Sequence, residues 1–188
     1  MTLAITNQHD HRLTLAIDPG TNQMGVAVFD SNKLLSVFTI RGSRKVKDSD
    51  VRFFQMLTDL EEHLEPALFC DSCGHSHLKL VYEDPHFIRI GGKSRPIEPL
   101  FRAVGMLSYW SRSKGMGITR YKVQTIKAGI SGRASASKVE IERIVKLVLP
   151  DCSQTETDDV YDAMSIGMYY LDQQYPGCFG VTFPYTSS

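Results

Sequence analysis

The stretch that decides the fold reads LTLAIDPGTNQMGVAVF and covers residues 13–29. Its first five residues form a short β-prone run that ends at Asp18-Pro19-Gly20, and Gly25–Phe29 is a second run of the same kind. Residues 34–40 supply a third run after the turn Asp30-Ser31-Asn32. The pattern predicts an antiparallel meander of three strands, with Asp18 at the end of the first strand.

Beyond the meander, apolar residues recur at near-helical spacing from Val51 to Leu64, and Pro66 is expected to end this helix. The residues at that spacing are Val51, Phe54, Met56, Leu57, Leu60 and Leu64. Residues 78–82 read as a buried strand that carries Glu83 at its end, before Pro85.

The second half of the chain predicts a helix over 97–110, a strand over 118–123, and helices over 135–149 and 158–170. Gly91–Pro96 reads as a basic, flexible loop. The complete order βββ-α-β-α-β-α-α predicts an α/β fold, a mixed five-stranded sheet flanked by helices.

The length of 188 residues suits a single domain, 1–188, with its core over about 13–171. The composition, 42% hydrophobic and 22% charged, is typical of a globular protein, and no apolar run approaches the roughly 20 residues that span a bilayer. The first residues resemble neither a secretory signal nor a transit peptide. We therefore expect no membrane role and a cytoplasmic location.

The zero net charge conceals an uneven distribution along the chain. Residues 86–146 contain thirteen Lys or Arg and only three acidic residues, Glu98, Glu140 and Glu142, so the rest of the chain is strongly acidic. A region that binds phosphates, beside another that concentrates carboxylates, would give this distribution. The alternative is a basic face that is only solvated.

Four carboxylates occupy positions where ligand chemistry gathers in α/β proteins. Asp18 and Glu83 end two predicted strands, while Asp159 and Asp162 share one face of the last helix. If the four converge, each like-charged pair costs roughly 4 kcal/mol at 4 Å, so a cation must accompany them. Oxygen ligands favour Mg²⁺ or Mn²⁺, and two such ions can act on a phosphodiester. Alternatively, Asp18 is a turn residue and Asp158 and Asp159 only favour a helix N-terminus.

Four segments, in order, resemble the RuvC Holliday-junction resolvases of the ribonuclease H-like superfamily. Residues 15–21, LAIDPGT, with Gly25 closing the turn, are similar to the opening strand of that family, and residues 80–83, LVYE, are similar to its second acidic motif. Residues 159–163, DVYDA, resemble its terminal aspartate pair, and residues 126–138, IKAGISGRASASK, resemble its basic segment. The resemblance implies a homodimer that cuts four-way DNA junctions with paired nicks in recombination and repair.

The resemblance also implies roles for individual residues. Asp18, Glu83, Asp159 and Asp162 would be catalytic and hold magnesium, with Asp158 left open as the third ligand in place of Asp159. Lys138 would open a helix near the carboxylates and stabilise charge on the scissile phosphate. The loop cations Arg89, Lys93 and Arg95 would position the DNA backbone. Phe87 falls near the position where the family uses an aromatic residue to wedge open junction bases. The DNA contacts that we expect are Lys127, Arg133, Arg89, Lys93, Arg95 and Phe87.

The segment 70–77, CDSCGHSH, is an insertion outside the family pattern. Its Cys70, Cys73, His75 and His77 offer up to four ligands for a structural zinc ion. Four ligands in so short a segment seldom all reach one ion, so a polar loop with reduced thiols is the favoured alternative.

Other functions remain open at this point. Asp-x-Gly-Thr after a strand also occurs in actin-like and sugar-kinase ATPases, but 188 residues leave no room for their second lobe. A non-catalytic junction-binding protein would have no use for four carboxylates. A broader flap nuclease or a ribonuclease H-like nuclease would share the same acidic site.

Overall fold

A computed structural model describes residues 13–68, 78–85, 89–90, 93–94, 98–150 and 158–184. Five strands form the central sheet, and two short ones, β5 (Arg89–Ile90) and β6 (Lys93–Ser94), form a separate hairpin. The central strands are β1 (Leu13–Asp18), β2 (Gln23–Asp30), β3 (Lys33–Arg41), β4 (Leu78–Glu83) and β7 (Gly117–Tyr121).

The central sheet has the order β3-β2-β1-β4-β7. β1 pairs antiparallel with β2, and β2 with β3, which is the predicted meander. β4 pairs parallel with both β1 and β7, so the predicted mixed sheet is confirmed. Because β1 and β4 run in the same direction, their carboxyl ends meet at one edge of the sheet.

Five helices cover the two faces of this sheet. They are α1 (Ser49–Leu68), α2 (Glu98–Ser113), α3 (Val123–Ser131), α4 (Lys138–Val148) and α5 (Asp158–Gln174). α1 and α2 pack on one face around Leu15, Val26 and Leu80, whereas α3, α4 and α5 pack on the other around Ala16, Ala27 and Val81. The alternation of neighbouring residues between two hydrophobic cores follows from the two-residue period of a strand.

Helix α5 lies directly against the sheet because two glycines leave it room. A Cβ atom at Gly25 of β2 would overlap the backbone carbonyl of Asp159, and one at Gly167 of α5 would overlap the ring of Phe29. The helix therefore approaches β2 more closely than any residue with a side chain at these positions allows. This close approach fixes the position of the first turn of α5.

The first helix departs from its sequence pattern. Met56, Leu57, Leu60 and Leu64 are buried as expected, but Val51 and Phe54 are exposed and Phe53 is buried in their place. The buried residues from 53 onward keep the three- and four-residue steps of a helix face, and Phe54 falls off that face. The prediction that Pro66 ends the helix is wrong, since α1 continues to Leu68. A proline near a helix end removes only one backbone hydrogen bond.

The second half of the chain contains one helix more than the sequence pattern shows. The fifth strand ends at Tyr121 and α3 begins at Val123, within the range expected to be strand. The loop expected over 91–96 includes β6 of the short hairpin. Helix α4 begins later than expected, because Ser137 caps it by accepting a hydrogen bond from the Glu140 N–H in a capping box.

The other helix predictions agree with the structure more closely. Val104, Leu107 and Trp110 of α2 are buried, as are Ala163, Ile166 and Met168 of α5. In the part of the chain that the structure describes, no helix combines the length and apolar character needed to cross a bilayer.

Candidate active site

The site begins with two carboxylates at adjacent strand ends. Asp18 is the last residue of β1 and lies opposite Gly25 of β2. The parallel register pairs Ile17 with Tyr82. Asp18 and Glu83, the next residues on the two strands, therefore lie side by side at the ends of β1 and β4. Both side chains are partly buried at this edge of the sheet. The predicted juxtaposition of Asp18 and Glu83 is thus present.

The first two turns of α5 bring the other two carboxylates to the same edge. The backbone of Asp159 packs on Gly25, and the Gln23 side-chain amide donates a hydrogen bond to the Asp159 carboxylate. Asp162 lies one helical turn further on, and the Ser165 hydroxyl donates to its backbone carbonyl at 2.7 Å. Asp158 is exposed at the start of the helix. Its neighbour Asp159 is therefore the residue held against the sheet.

The electrostatics show that the four carboxylates act on one another. Burial, followed by the charges of Asp162, Glu83 and Asp159, raises the pKa of Asp18 to about 8. Burial and the charge of Asp162 raise the pKa of Glu83 to about 7. Burial also raises the pKa of Asp159. Carboxyl groups with such pKa values resist ionisation at neutral pH unless a cation joins them.

Lys138 provides one cation beside the cluster. It is the first residue of α4, and its Nζ donates a hydrogen bond to Asp162 Oδ2 at 2.5 Å. Partial burial opposes the charge on Lys138, but the hydrogen bond and the negative charges of Asp162 and Asp18 raise its pKa. Its charge in turn offsets part of the rise in the pKa values of Asp18 and Glu83. The predicted proximity of Lys138 to the carboxylates is present.

The donor set fits a hard divalent cation such as magnesium. All four side chains offer carboxylate oxygens, which Mg²⁺ and Mn²⁺ prefer, and burial of Asp18 and Glu83 disfavours their charged forms unless a cation is near. As the described side chains stand, no three His, Cys, Asp or Glu residues are grouped around a common point. Gln23 and Lys138 instead hold Asp159 and Asp162 individually.

Two further basic residues from the sequence lie beside the cluster or on its flank. The Lys127 Nζ donates a hydrogen bond to the Ala136 carbonyl at 2.7 Å, and the charge of Lys127 offsets part of the rise in the pKa of Glu83. Arg133 forms an ion pair with Glu140 in the first turn of α4. Lys127 thus lies close enough to Glu83 for its charge to act on that carboxyl group, while Arg133 is held on the exposed loop before α4.

The remaining predicted residues lie wholly or partly outside the described structure. Phe87, Arg95 and the zinc candidates Cys70, Cys73, His75 and His77 fall outside the described residues. The backbones of Arg89 and Lys93 pair within the short hairpin of β5 and β6.

Sequence reasoning missed two features at this edge of the sheet. Gln23, which holds Asp159, looks like an ordinary turn residue in the sequence. The second feature is a group of cations, Arg41, Arg44, Lys47 and Arg52, beside Gln23. The signal was present in residues 41–47, RGSRKVK, but the richer basic region over 86–146 concealed it.

The described elements form a ribonuclease H-like α/β fold, with carboxylates at the ends of two adjacent strands and on the last helix. Comparison with solved structures supports this fold. Over 92% of this chain and 99% of the other, the fold matches the RuvC structure from Thermus thermophilus with a TM-score of 0.64 at 17% identity. A Thermus thermophilus RuvC structure in complex with a Holliday junction substrate matches with the same TM-score, at 16% identity, over 88% of this chain and 97% of that one.

Sequence comparisons find similarity to proteins of the same name. Crossover junction endodeoxyribonuclease RuvC of Campylobacter jejuni strain 81-176 is 25% identical over 154 residues, which are 82% of this chain and 91% of that protein. RuvC of Campylobacter concisus strain 13826 is also 25% identical, over 84% of this chain and 95% of its own. No family model matches the chain. The resemblance to the RuvC-type resolvases predicted from the sequence is confirmed.

Proposed function

We propose that this protein is a structure-specific DNA endonuclease that resolves four-way junctions by paired, metal-dependent hydrolysis of phosphodiester bonds. The observation that carries the proposal is that Asp18, Glu83, Asp159 and Asp162, from two strand ends and one helix, lie at one edge of the sheet, close enough for their charges to act on the Asp18 carboxyl group. Similarity to proteins named crossover junction endodeoxyribonuclease supports the reaction, and the matching complex of RuvC with a Holliday junction supports the substrate. The cytoplasmic location expected from the sequence stays a prediction.

In this proposal the four carboxylates hold Mg²⁺ or Mn²⁺, with two ions in each site. Bound there, the metal would activate water and stabilise the negative charge of the reacting phosphate. The chain's own contribution is to place the four acids at the edge of the sheet, with the Lys138 ammonium group beside them to offset part of the burial that disfavours the ionised forms of Asp18 and Glu83. Gln23 orients the Asp159 carboxylate, and Gly25 sets the depth of α5 against β2.

Besides its contact with Asp162, Lys138 would act on the DNA substrate. Its side chain is 62% exposed and its Nζ already contacts Asp162, so it faces both solvent and the acidic cluster. A phosphate that approaches the cluster from solvent meets this ammonium group. We infer that Lys138 stabilises the charge that builds on the scissile phosphate. Lys127, held by Ala136, adds positive charge on the Glu83 side.

The other basic residues belong to DNA binding in this proposal. Arg133, Arg89, Lys93 and Arg95 would contact the sugar-phosphate backbone, which positions DNA without reading its sequence. Phe87 stays a prediction as an aromatic contact with junction bases. The Cys70–His77 segment stays open between a polar loop and a structural zinc site.

We further propose that the active form is a homodimer and that α1 and α2 carry its interface. On α2, Trp110 is buried in the core, and Met106 packs partly against that core. Tyr109 is 77% exposed, and Phe54 of α1 is 63% exposed beside it. These residues border a groove of about 580 Å³ between α1 and α2. A second copy, placed by a two-fold axis, would cover this apolar surface.

A matched pair of variants tests the dimer. Tyr109→Asp places a charge at the proposed interface, and Leu147→Asp places the same charge on α4 at a site that is 76% exposed. Sedimentation should show a dimer for wild type and Leu147→Asp and a monomer for Tyr109→Asp. A dimer that survives Tyr109→Asp at micromolar concentration would contradict this interface.

The function itself is tested by the products from a panel of substrates. Wild-type protein with Mg²⁺ is incubated with labelled four-way junction, flap, linear duplex and RNA/DNA hybrid, each at equal concentration. The proposal expects paired, ligatable nicks in the junction and little cutting of the linear duplex. Equal cutting of junction and linear duplex would make a general nuclease the better description. Preference for the flap or the hybrid would favour the corresponding alternative.

A further inference from the structure

A cleft of about 530 Å³ lies beside the acidic site at the far edge of the sheet from β7. We call it the basic cleft because four of its seven lining residues are cations, contributed by the end of β3, the following loop and the start of α1. The lining residues are Asn22, Gln23, Arg41, Gly42, Arg44, Lys47 and Arg52.

One arginine builds the cleft by fixing the backbone around it. The Arg52 guanidinium donates through Nε to the Thr21 carbonyl at 2.9 Å and through Nη1 to the Val46 carbonyl at 2.8 Å. It thereby ties the β1–β2 turn to the loop that precedes α1. The Gly42 N–H donates to the Asn22 carbonyl at 2.8 Å, and a Cβ at Gly42 would meet the Arg52 side chain. Arg52 is thus a structural part of the cleft.

The other three cations are exposed and point to an external ligand. Arg41, Arg44 and Lys47 form no ion pair within 4.0 Å among the residues described in the structure, and no carboxylate lines the cleft. Positive charges that are grouped in a concave surface and not neutralised attract anions.

The nearest acids in the sequence are already engaged. The Asp48 carboxylate caps α1 by accepting from the Asp50 and Val51 N–H groups at 2.8 and 3.0 Å. The Asp50 carboxylate pairs with Arg102 at 3.0 Å. Neither carboxylate lines the cleft, so neither neutralises the exposed cations.

Gln23 connects the basic cleft with the acidic site. Its side-chain amide holds the Asp159 carboxylate, while the same residue lines the cleft. Successive phosphates of one strand of duplex DNA advance by about 3.4 Å along the helix axis, so several of them lie close to any one phosphate. A strand with one phosphate at the carboxylates therefore has neighbouring phosphates within reach of the cleft.

We propose that the basic cleft binds backbone phosphates of the same DNA strand whose scissile phosphate lies at the acidic site. Arg41, Arg44 and Lys47 would contact these phosphates, and Arg52 would keep the cleft open. This inference rests on the proposed function, because it takes the ligand of the acidic site to be DNA. The cleft would position the strand without reading its sequence.

The test compares two double variants that remove the same charge. Arg44→Gln with Lys47→Gln removes two cleft cations, and Lys33→Gln with Arg112→Gln removes two exposed cations at the opposite end of the sheet. Junction affinity is measured in Ca²⁺ across a range of salt concentrations. The cleft variant should bind about 5- to 20-fold more weakly and lower the salt slope by about 1 to 2, since each lost phosphate contact lowers it by roughly 0.9. The control should stay near wild type.

A second measurement locates the contact on the DNA. Single phosphates beside the mapped nick are replaced in turn by neutral methylphosphonates. Wild type and the control variant should lose affinity at one or two positions on one side of the nick, and the cleft variant should be insensitive at those positions. Equal salt slopes and equal sensitivity in all three proteins would overturn the inference. If the wild-type protein does not prefer a junction, the proposed function fails. The basic cleft can then still be tested, by comparing the same variants on any DNA that the wild-type protein binds.

Discussion

The acidic cluster and the basic cleft lie side by side and share Gln23, yet the fold builds them in opposite ways. Asp18 and Glu83 are partly buried at the ends of strands, where their pKa values are raised to about 8 and about 7. The cations of the cleft are mostly exposed on a loop, and only Arg52 is held by the backbone. The carboxylates of the acidic cluster are fixed in position, but burial and mutual repulsion disfavour their charges. The cations of the basic cleft are exposed to solvent, so their charges are accessible and are not disfavoured by burial.

This difference indicates a division of labour. Groups that act on reacting atoms need fixed positions, and preorganised charge in a partly buried site has the larger effect on a reaction. Groups that bind a flexible polyanion need only accessible charge, and each contributes a modest share of affinity. Changes in the acidic cluster should therefore affect the reaction, and changes in the cleft should affect binding.

The largest effect is expected from Asp18→Asn. This change keeps the shape of the side chain and removes one carboxylate charge, so junction cleavage should fall by about 10²- to 10³-fold, as for other electrostatic groups at active sites. Junction binding should stay the same or become tighter, because a negative charge near the DNA is lost. Rates of nicking and equilibrium binding are measured on the same labelled junction.

Asp59→Asn is the matched control for this prediction, since Asp59 is an exposed carboxylate in the middle of α1. It should cut at the wild-type rate. Loss of binding in parallel with loss of cutting in Asp18→Asn would contradict the division of labour, because it would make Asp18 part of the DNA-binding surface.

A smaller effect is expected from Gly25→Ala, which tests how the acidic cluster is positioned. The added methyl group would overlap the Asp159 carbonyl and push α5 away from β2. Overpacking of this kind costs about 1–3 kcal/mol, and the shift of Asp159 should also lower the cleavage rate. Urea unfolding and single-turnover cleavage measure the two effects.

Gly117→Ala provides the comparison, because a Cβ there would meet only the flexible Lys79 side chain, at 3.1 Å. Its free energy of unfolding should stay within about 0.5 kcal/mol of wild type, as for ordinary surface changes. A Gly25→Ala protein as stable and as active as Gly117→Ala would show that the close approach of α5 is unimportant.

The smallest effect concerns the pH dependence of stability without metal. Because the pKa of Asp18 is higher in the folded protein, at about 8, than its ordinary value of 3.8, the folded protein binds this proton more tightly than the unfolded chain. The contribution of Asp18 to stability is therefore complete below about pH 4 and is lost as the pH rises towards 8. In EDTA, Asp18→Asn should be more stable than wild type by roughly 2 kcal/mol at pH 8, after allowance for solvent access, and by less at pH 5.

Thermal melting of both proteins at several pH values checks this expectation. Addition of Mg²⁺ should stabilise wild type more than Asp18→Asn, since the ion neutralises the charges that oppose folding. If the difference in melting temperature between wild type and Asp18→Asn were the same at all pH values, with or without Mg²⁺, it would contradict the mutual repulsion of the carboxylates in the acidic cluster.

The sequence predicted the acidic cluster because strand ends carry a local signal. Asp18 follows an apolar run that a turn interrupts, and Glu83 follows another, so both positions can be read from neighbouring residues. The three-residue spacing of Asp159 and Asp162 places them on one helix face by geometry alone. These short-range patterns were sufficient for the meander, the parallel strand β4 and the last helix.

The features that the sequence did not predict depend on contacts between segments that are distant in the chain. Phe54 fits a helical apolar pattern as well as Phe53 does, and only packing against the sheet decides which is buried. The basic cleft arises because Arg52 reaches back to Thr21, and Gln23 gains its role through Asp159, 136 residues away. Such contacts leave no periodic signal in the chain.

The central claim, that the acidic cluster cuts junctions with a bound divalent metal, is tested most directly by the metal dependence of nicking. A labelled four-way junction is incubated with wild-type protein in Mg²⁺, in Ca²⁺ and in EDTA, and nicks are mapped on all four strands while binding is followed in parallel. The account predicts binding in Ca²⁺ without cutting and symmetric nicks on two strands in Mg²⁺. Vigorous cutting in EDTA would contradict it.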